Sequence, residues 1–232
     1  MGIIDTHCHL NDETYQENVA EVVQQCQESG VEKMICIGYD LPSSLKAVEI
    51  AHTYPCVYAA VGVHPDSAED YNEEVAQALE KLANDEKVVA IGEIGLDYYW
   101  DKAPRDMQKE VFKAQIELAR RYNLPIIIHS RDALMDTHAI TAEYAPVKGV
   151  MHCYSGSVEM ANEFIKQGFH ISLAGPVTFK NARVPKEVAV ALPSDKLLVE
   201  TDCPYLTPHP YRGKVNYPYY VKLVAEEIEK KN

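Results

Sequence analysis

The chain has 232 residues, 47% of them hydrophobic, and a formal charge of −13. That is enough for one large α/β domain, while no apolar run approaches the roughly 18 residues of a membrane span and no basic segment with an apolar core marks a secretory leader, so a cytoplasmic protein without membrane contact is expected. The acidic balance argues against a surface built to coat nucleic acid, yet bound divalent cations would invert the local field for a phosphate-bearing substrate.

The chain opens with GIIDTHCHL. A short β-branched run predicts a strand at 2–5, and strand alternation puts His7 and His9 on one face and Cys8 on the other. Two imidazoles on one side suit a metal ion. Further strands are predicted at 33–37, 57–62, 88–92, 125–129, 149–152, 169–173 and 196–200. All are short and rich in Val and Ile, as parallel strands buried on both faces should be. Amphipathic helices are predicted at 17–29, 73–84, 106–122, 158–167 and 218–230. The third is the clearest, with Met107, Val111, Ala114, Ile116, Leu118 and Ala119 on a broad apolar face. Without repeats or linker-like stretches, residues 1–232 read as one domain. Eight strands alternating with helices predict an α/β fold of the (β/α)8 TIM-barrel type. An open doubly wound sheet should carry a Gly-rich phosphate turn after an early strand, and none is visible. The six cysteines form no C-x-x-C pair, which reads as small buried hydrophobes in a reducing compartment. The roles of Cys153 and Cys203, beside candidate ligands, stay open.

A barrel gathers its chemistry at the C-terminal ends of its strands. Those ends hold His7 and His9, His64, Glu93, His129, His152 and Asp202. Apart from His64, these are four imidazoles and two carboxylates, more than one tetrahedral ion needs, and they fit two ions roughly 3.5–4 Å apart. The predicted division gives His7, His9 and Asp202 to one ion and His129 and His152 to the other, with Glu93 bridging. Mixed nitrogen and oxygen ligation suits Zn, Mn, Co or Ni better than an all-oxygen Mg site. Glu200, two residues before Asp202, shares its face deeper in the barrel, either orienting a ligand histidine or forming a structural ion pair. Asp5 is expected to stand in the same relation to His7. His64 reads as a substrate contact or a loop anchor, and His52, His138 and His170 as structural or solvent-facing.

The motifs DTHCHL, GEIGLDYY, HSRDA, HCYSG, ISLAGPVTFKN and ETDCPYLTPHPYRGK closely resemble the TatD family of metal-dependent deoxyribonucleases, within the amidohydrolase superfamily of metal-bearing barrels. The likeness runs in order from Ile3 to about Ile228. It implies phosphodiester hydrolysis of DNA, with 3′-to-5′ exonuclease character in some members, using two divalent ions drawn from Zn, Mn or Mg. By resemblance the ligands fall on His7, His9, Glu93, His129, His152 and Asp202, and substrate-facing positions on His64, Tyr98, Arg131 and Arg212. Asp202 would orient or deprotonate the attacking water, and Arg131, Arg212 and Lys214 would hold flanking phosphates, HPYRGK being otherwise a solvated basic loop. A monomer acting on single strands or ends is expected. The superfamily also hydrolyses amides and esters, so hydrolysis of such bonds, including aminoacyl-tRNA esters, is the alternative. Family members usually continue with a further helix ending in an Asn-x-x-x-Leu-Phe-like pattern, whereas this chain stops at Lys230-Lys231-Asn232.

Overall fold

In a computed structural model, which describes residues 2–230, eight parallel strands follow one another in chain order around a single sheet. They are β1 (Ile3–Cys8), β2 (Val31–Ile37), β3 (Val57–Val61), β4 (Val88–Asp97), β5 (Ile126–Arg131), β6 (Gly149–Met151), β7 (Phe169–Leu173) and β8 (Leu197–Val199). Past the end of β8 the chain returns to β1: the Asp202 N–H donates to His7 O and the His9 N–H to Cys203 O, both at 2.9 Å. The helices are α1 (Val19–Glu28), α2 (Leu41–Thr53), α3 (Glu73–Ala83), α4 (Arg105–Tyr122), α5 (Leu134–Glu143), α6 (Val158–Lys166), α7 (Val184–Ala191) and α8 (Val221–Glu229). This is the (β/α)8 barrel expected. Three helices, α2, α5 and α7, lay outside the predicted set. α5 explains why: two of its three buried side chains are threonines, Thr137 and Thr141, so it has no apolar stripe to read. Lys231 and Asn232, after which the resemblance expects a further helix, lie outside the described residues.

The apolar residues sort into two shells. A large outer cluster fills the space between strands and helices, with Phe112, Phe164, Phe169 and Leu79 fully buried in it. A small inner plug of Ile37, Ala60, Ala90, Ile127 and Val150 closes the barrel interior. Above the plug the same strands turn polar, so the floor of the mouth is dry and its walls carry the chemistry.

Two strands break the alternation just where the candidate ligands begin. Ile91 and Ile94 of β4 pair with Ile126 and Ile128 of β5, three steps against two. The extra residue is a β-bulge. Counting strictly from inward Ala90, Glu93 would face the helices; the bulge turns it into the mouth. Glycines permit it: a Cβ on Gly92 would meet Ile127 Cβ at 2.5 Å, and one on Gly95 would meet His129 O at 2.0 Å. β1 carries the same irregularity, with Asp5 and Cys8 opposite Met34 and Cys36. Asp5 and His7 therefore do not share a face, contrary to the sequence expectation.

Helix α4 braces the loops around the mouth. The Gln115 amide accepts from Val63 N (2.7 Å) and donates to Val63 O (3.0 Å), fixing the residue before His64. Gln108 does the same for Asp97, accepting from its N–H at 2.8 Å and donating to its carbonyl at 3.1 Å. Both glutamines are buried, so each paired amide replaces water that the backbone groups have lost.

Candidate metal centre

Glu93 stands at the middle of the mouth, and its two oxygens face different partners. Oε2 lies 3.6 Å from His7 Nε2 and 4.0 Å from His9 Nε2. Oε1 lies 2.8 Å from both His129 Nδ1 and His152 Nε2. On the first side, Asp202 Oδ1 is 3.6 Å from His7 Nε2 and 3.4 Å from His9 Nε2, and the two imidazole nitrogens are 3.3 Å apart. On the second, His129 Nδ1 and His152 Nε2 are 3.3 Å apart. The His7 and His152 rings stack at 4.0 Å between centroids, so the two sides share one wall.

The His7–His9–Asp202 donor set fits a bound cation. Donors about 2.0–2.2 Å from a tetrahedral ion lie about 3.3–3.6 Å from one another, and the His7–His9–Asp202 gaps are 3.3, 3.4 and 3.6 Å. Three nitrogens and oxygens converge at that spacing from residues that are buried or nearly so, wider apart than charged hydrogen bonds of ordinary length. Imidazole with carboxylate is the ligand chemistry of Zn, Mn and their neighbours.

Behind three of the four imidazoles stands a group that fixes the ring. His9 Nδ1 donates to Ile37 O at 3.1 Å, and His152 Nδ1 to Glu200 Oε1 at 3.2 Å. Glu200 also accepts from Cys153 N at 2.8 Å. His129 Nε2 donates to Asp97 Oδ2 at 2.9 Å. His7 Nδ1 is buried without a partner. Asp5, expected behind His7, instead accepts from the Thr201 N–H and hydroxyl and from the backbone N–H of His7; it ties β1 to the chain after β8 and leaves the ring alone. Asp97 is the residue sequence reasoning passed over. Metal-ligating histidines usually donate their far N–H to a carboxylate or carbonyl, and an acid four places after Glu93 was the available signal.

Charge in the cluster is balanced internally. Burial alone would raise Glu93, but the facing imidazoles of His152, His64 and His129 hold it well below the usual carboxylate range. Asp202 is likewise held down against burial by His9, His7 and His152. Burial pulls on His9 in the opposite direction, and the Asp202 and Glu93 carboxylates outweigh it, pushing the ring up to about 9. His129 and His152 are raised for the same reason, whereas burial and the neighbouring His152 lower His7. Asp202 has a left-handed backbone at φ 54°, and Cys153, after His152, one at φ 42°; such strain in non-glycine residues gathers at functional sites.

His64 belongs to the mouth as a donor. Its Nδ1 accepts from Asp66 N at 3.1 Å, capping the turn that follows β3, which leaves the proton on Nε2, 3.7 Å from Glu93 Oε1. Burial and His129 push it down to about 4, so the ring is neutral. An Nε2 that carries its proton is not a ligand. Arg131 is exposed at the rim, its guanidinium 3.9 Å over the Tyr99 ring. Arg212 lies over Phe179 at 4.3 Å and Lys214 over Tyr211 at 5.8 Å, both exposed on the long loop after β8. Tyr98 turns away: its hydroxyl donates to Asp136 Oδ2 at 2.7 Å, on α5. His52 pairs with Asp85 at 2.9 Å on the surface, and His138 packs edge-on against Phe164.

A barrel that collects imidazoles and acids at this end belongs with the metal-dependent hydrolases. The chain is a member of the TatD family: the family described as "TatD related DNase" matches residues 4–232. A Bacillus subtilis (strain 168) protein described as an uncharacterized metal-dependent hydrolase, YabD, is 52% identical over 97% of this chain and 89% of its own length. The Escherichia coli (strain K12) protein YcfH, described in the same words, is 38% identical over 97% of this chain and 86% of its own. Among solved structures, the TatD homologue YjjV from E. coli K12 superposes with a TM-score of 0.94 at 30% identity, covering 99% of this chain and 90% of that one. No helix among the described residues is long and apolar enough to cross a membrane.

Proposed function

We propose that this chain hydrolyses phosphodiester bonds of DNA at single-stranded or frayed ends, using two divalent ions. The observation that carries the reading is Glu93, whose separate oxygens address the His7–His9 pair and the His129–His152 pair. His7, His9 and Asp202 would hold one ion, His129 and His152 the other, and Glu93 both. When bound, such ions lower the pKa of water and offset charge on a scissile phosphate.

The remaining steps fall to the protein's own groups. Of the acids lining the mouth, Asp202 is the most open, its side chain 16% exposed against 6% for Glu93 and 1% for Asp97 and Glu200. It is the one able to orient an entering water and take its proton. The His64 Nε2–H, its tautomer fixed by the Asp66 N–H on Nδ1, is placed to donate to a phosphate oxygen. Arg131, Arg212 and Lys214 stand farther out, where flanking phosphates would lie. The net charge of −13 disfavours a long duplex track, which leaves chain ends as the accessible substrate.

The test compares an end-labelled single-stranded oligonucleotide, covalently closed duplex DNA, and ester and lactone substrates, alongside metal analysis. About two ions per chain and stepwise shortening of the single strand are expected. Rapid nicking of the closed duplex contradicts the preference for ends, and ester hydrolysis without any DNA cleavage replaces the phosphodiester reading with the alternative.

A further inference from the structure

β4 ends in a turn that presents two large rings to solvent, Tyr99 and Trp100, 55% and 58% exposed. One exposed aromatic is ordinary; two in succession beneath an arginine are not. Their centroids are 5.1 Å apart, edge to face, and the Arg131 guanidinium lies 3.9 Å above the Tyr99 ring and 5.6 Å from that of Trp100. Tyr98, the ring before them, is tied to Asp136 and takes no part.

The turn is fastened to the metal centre by one side chain. Asp97 Oδ1 accepts from Tyr99 N at 2.9 Å and Trp100 N at 2.8 Å, while Oδ2 accepts from His129 Nε2 at 2.9 Å. The width of a single carboxylate thus separates the backbone of the two rings from a candidate ligand. Arg131 reaches the same place along β5, two residues beyond His129 and in register with Asp97.

We propose that Tyr99, Trp100 and Arg131 form a stacking platform for one unpaired nucleobase beside the metal centre. The proposal rests on the phosphodiester reading and deepens it, since it names what the site recognises: a base free to leave its stack. The rings are perpendicular and Arg131 lies on the Tyr99 face, so the base stacks on Trp100, with Tyr99 beside it edge-on and the guanidinium supplying a cation for base or adjoining phosphate. A base inside a duplex has both faces covered by its neighbours and cannot reach the platform.

Trp100 is the chain's single tryptophan, so its fluorescence reports on this turn alone. The metal-loaded chain is titrated with a short single-stranded oligonucleotide carrying phosphorothioate linkages to slow cleavage, with the same strand bearing an abasic position stepped inward from the end, and with a blunt hairpin. The intact strand should quench Trp100, the blunt hairpin should not, and the quenching should vanish when the abasic position falls at one particular step. By fluorescence anisotropy of a labelled strand, Trp100→Ala should bind roughly ten-fold more weakly, as expected for loss of one stacked base, and Tyr99→Ala, which loses an edge contact, should lose less. The abasic strand should cost these variants nothing further, and Trp100→Phe should retain most of the affinity. Both side chains are exposed, and circular dichroism checks that the barrel is intact. An unquenched Trp100, or abasic and variant losses that simply multiply, overturns the platform. Cleavage of single-stranded ends with Trp100 undisturbed sinks the platform but leaves the hydrolase reading standing; quenching without cleavage of any DNA does the reverse.

Discussion

The two sides of the metal centre are built differently. On the side of His7, His9 and Asp202 the donor atoms stand 3.3–3.6 Å apart, too far for a charged hydrogen bond of ordinary length and close to the spacing an ion imposes. On the side of His129 and His152 both nitrogens are 2.8 Å from one Glu93 oxygen, and each ring is backed by a carboxylate, Asp97 or Glu200. His7 has no such backing. One side is closed by short hydrogen bonds to Glu93, whereas the other is more widely spaced, with His9 held to the Ile37 carbonyl. Among the described residues, Glu93 is the only carboxylate with an oxygen in each.

The sharpest way to break this comparison is to remove what joins the sides. On the proposed assignment, Glu93→Ala would take a ligand from both ions and leave two divalent charges, roughly 4 Å apart in two-metal sites, unscreened, a repulsion of more than about 10 kcal/mol even at an effective dielectric near 20. Occupancy should fall at both positions and activity by orders of magnitude. If metal analysis finds two ions retained, or only one lost, Glu93 does not bridge.

A smaller effect separates the sides. His129→Ala should empty one position and leave the His7–His9–Asp202 ion in place, giving close to one ion per chain at a free metal concentration that fills both in the parent. Loss of both ions would mean the sides are not independent.

Smaller again is Asp97→Asn, which keeps the shape and removes the charge behind His129. Affinity for one ion should weaken about 10- to 100-fold, while the other is unchanged, readable as a split between two formerly similar steps in a metal titration. Equal weakening of both would erase the distinction drawn above.

The mildest lever is pH. In the metal-free chain burial would lower His9, but the facing Asp202 and Glu93 carboxylates outweigh it and raise it from 6.5 to about 9. The stability this pairing contributes is fully present below pH 6.5 and is lost as pH rises toward about 9. A cation must displace the same proton, so its affinity should climb across that window. Thermal unfolding of chelated protein at pH 6 and pH 9 should therefore show a fall in Tm where metal titrations show a gain in affinity. Parallel trends would refute the assignment of His9 as a protonated partner of Asp202.

The fold class was legible because buried parallel strands are short apolar runs, and the strand-end rule then pointed at the residues that converge. What escaped was whatever depends on where a strand stops and which way it counts. β4 runs to Asp97, five residues past the predicted end at Gly92, so Asp97 had no assigned role. Strict alternation made Asp5 a neighbour of the His7 ring, which the bulge in β1 prevents. Tyr98 was chosen from a motif in which the two following rings are the exposed ones. A motif names a neighbourhood; only the backbone says which member faces the water.

The bulge in β4 has a consequence for descent as well as for geometry. The height of Glu93 in the mouth depends on the number of residues between Ile91 and Ile94, with Gly92 and Gly95 clearing the space. Deleting Gly92 would leave a single residue between two outward isoleucines, so plain alternation would still turn the acid inward, but one step lower, level with Ile127. Ancestral and engineered barrels could therefore raise or lower an inward acid by one step through a length change that substitution-based comparison does not register.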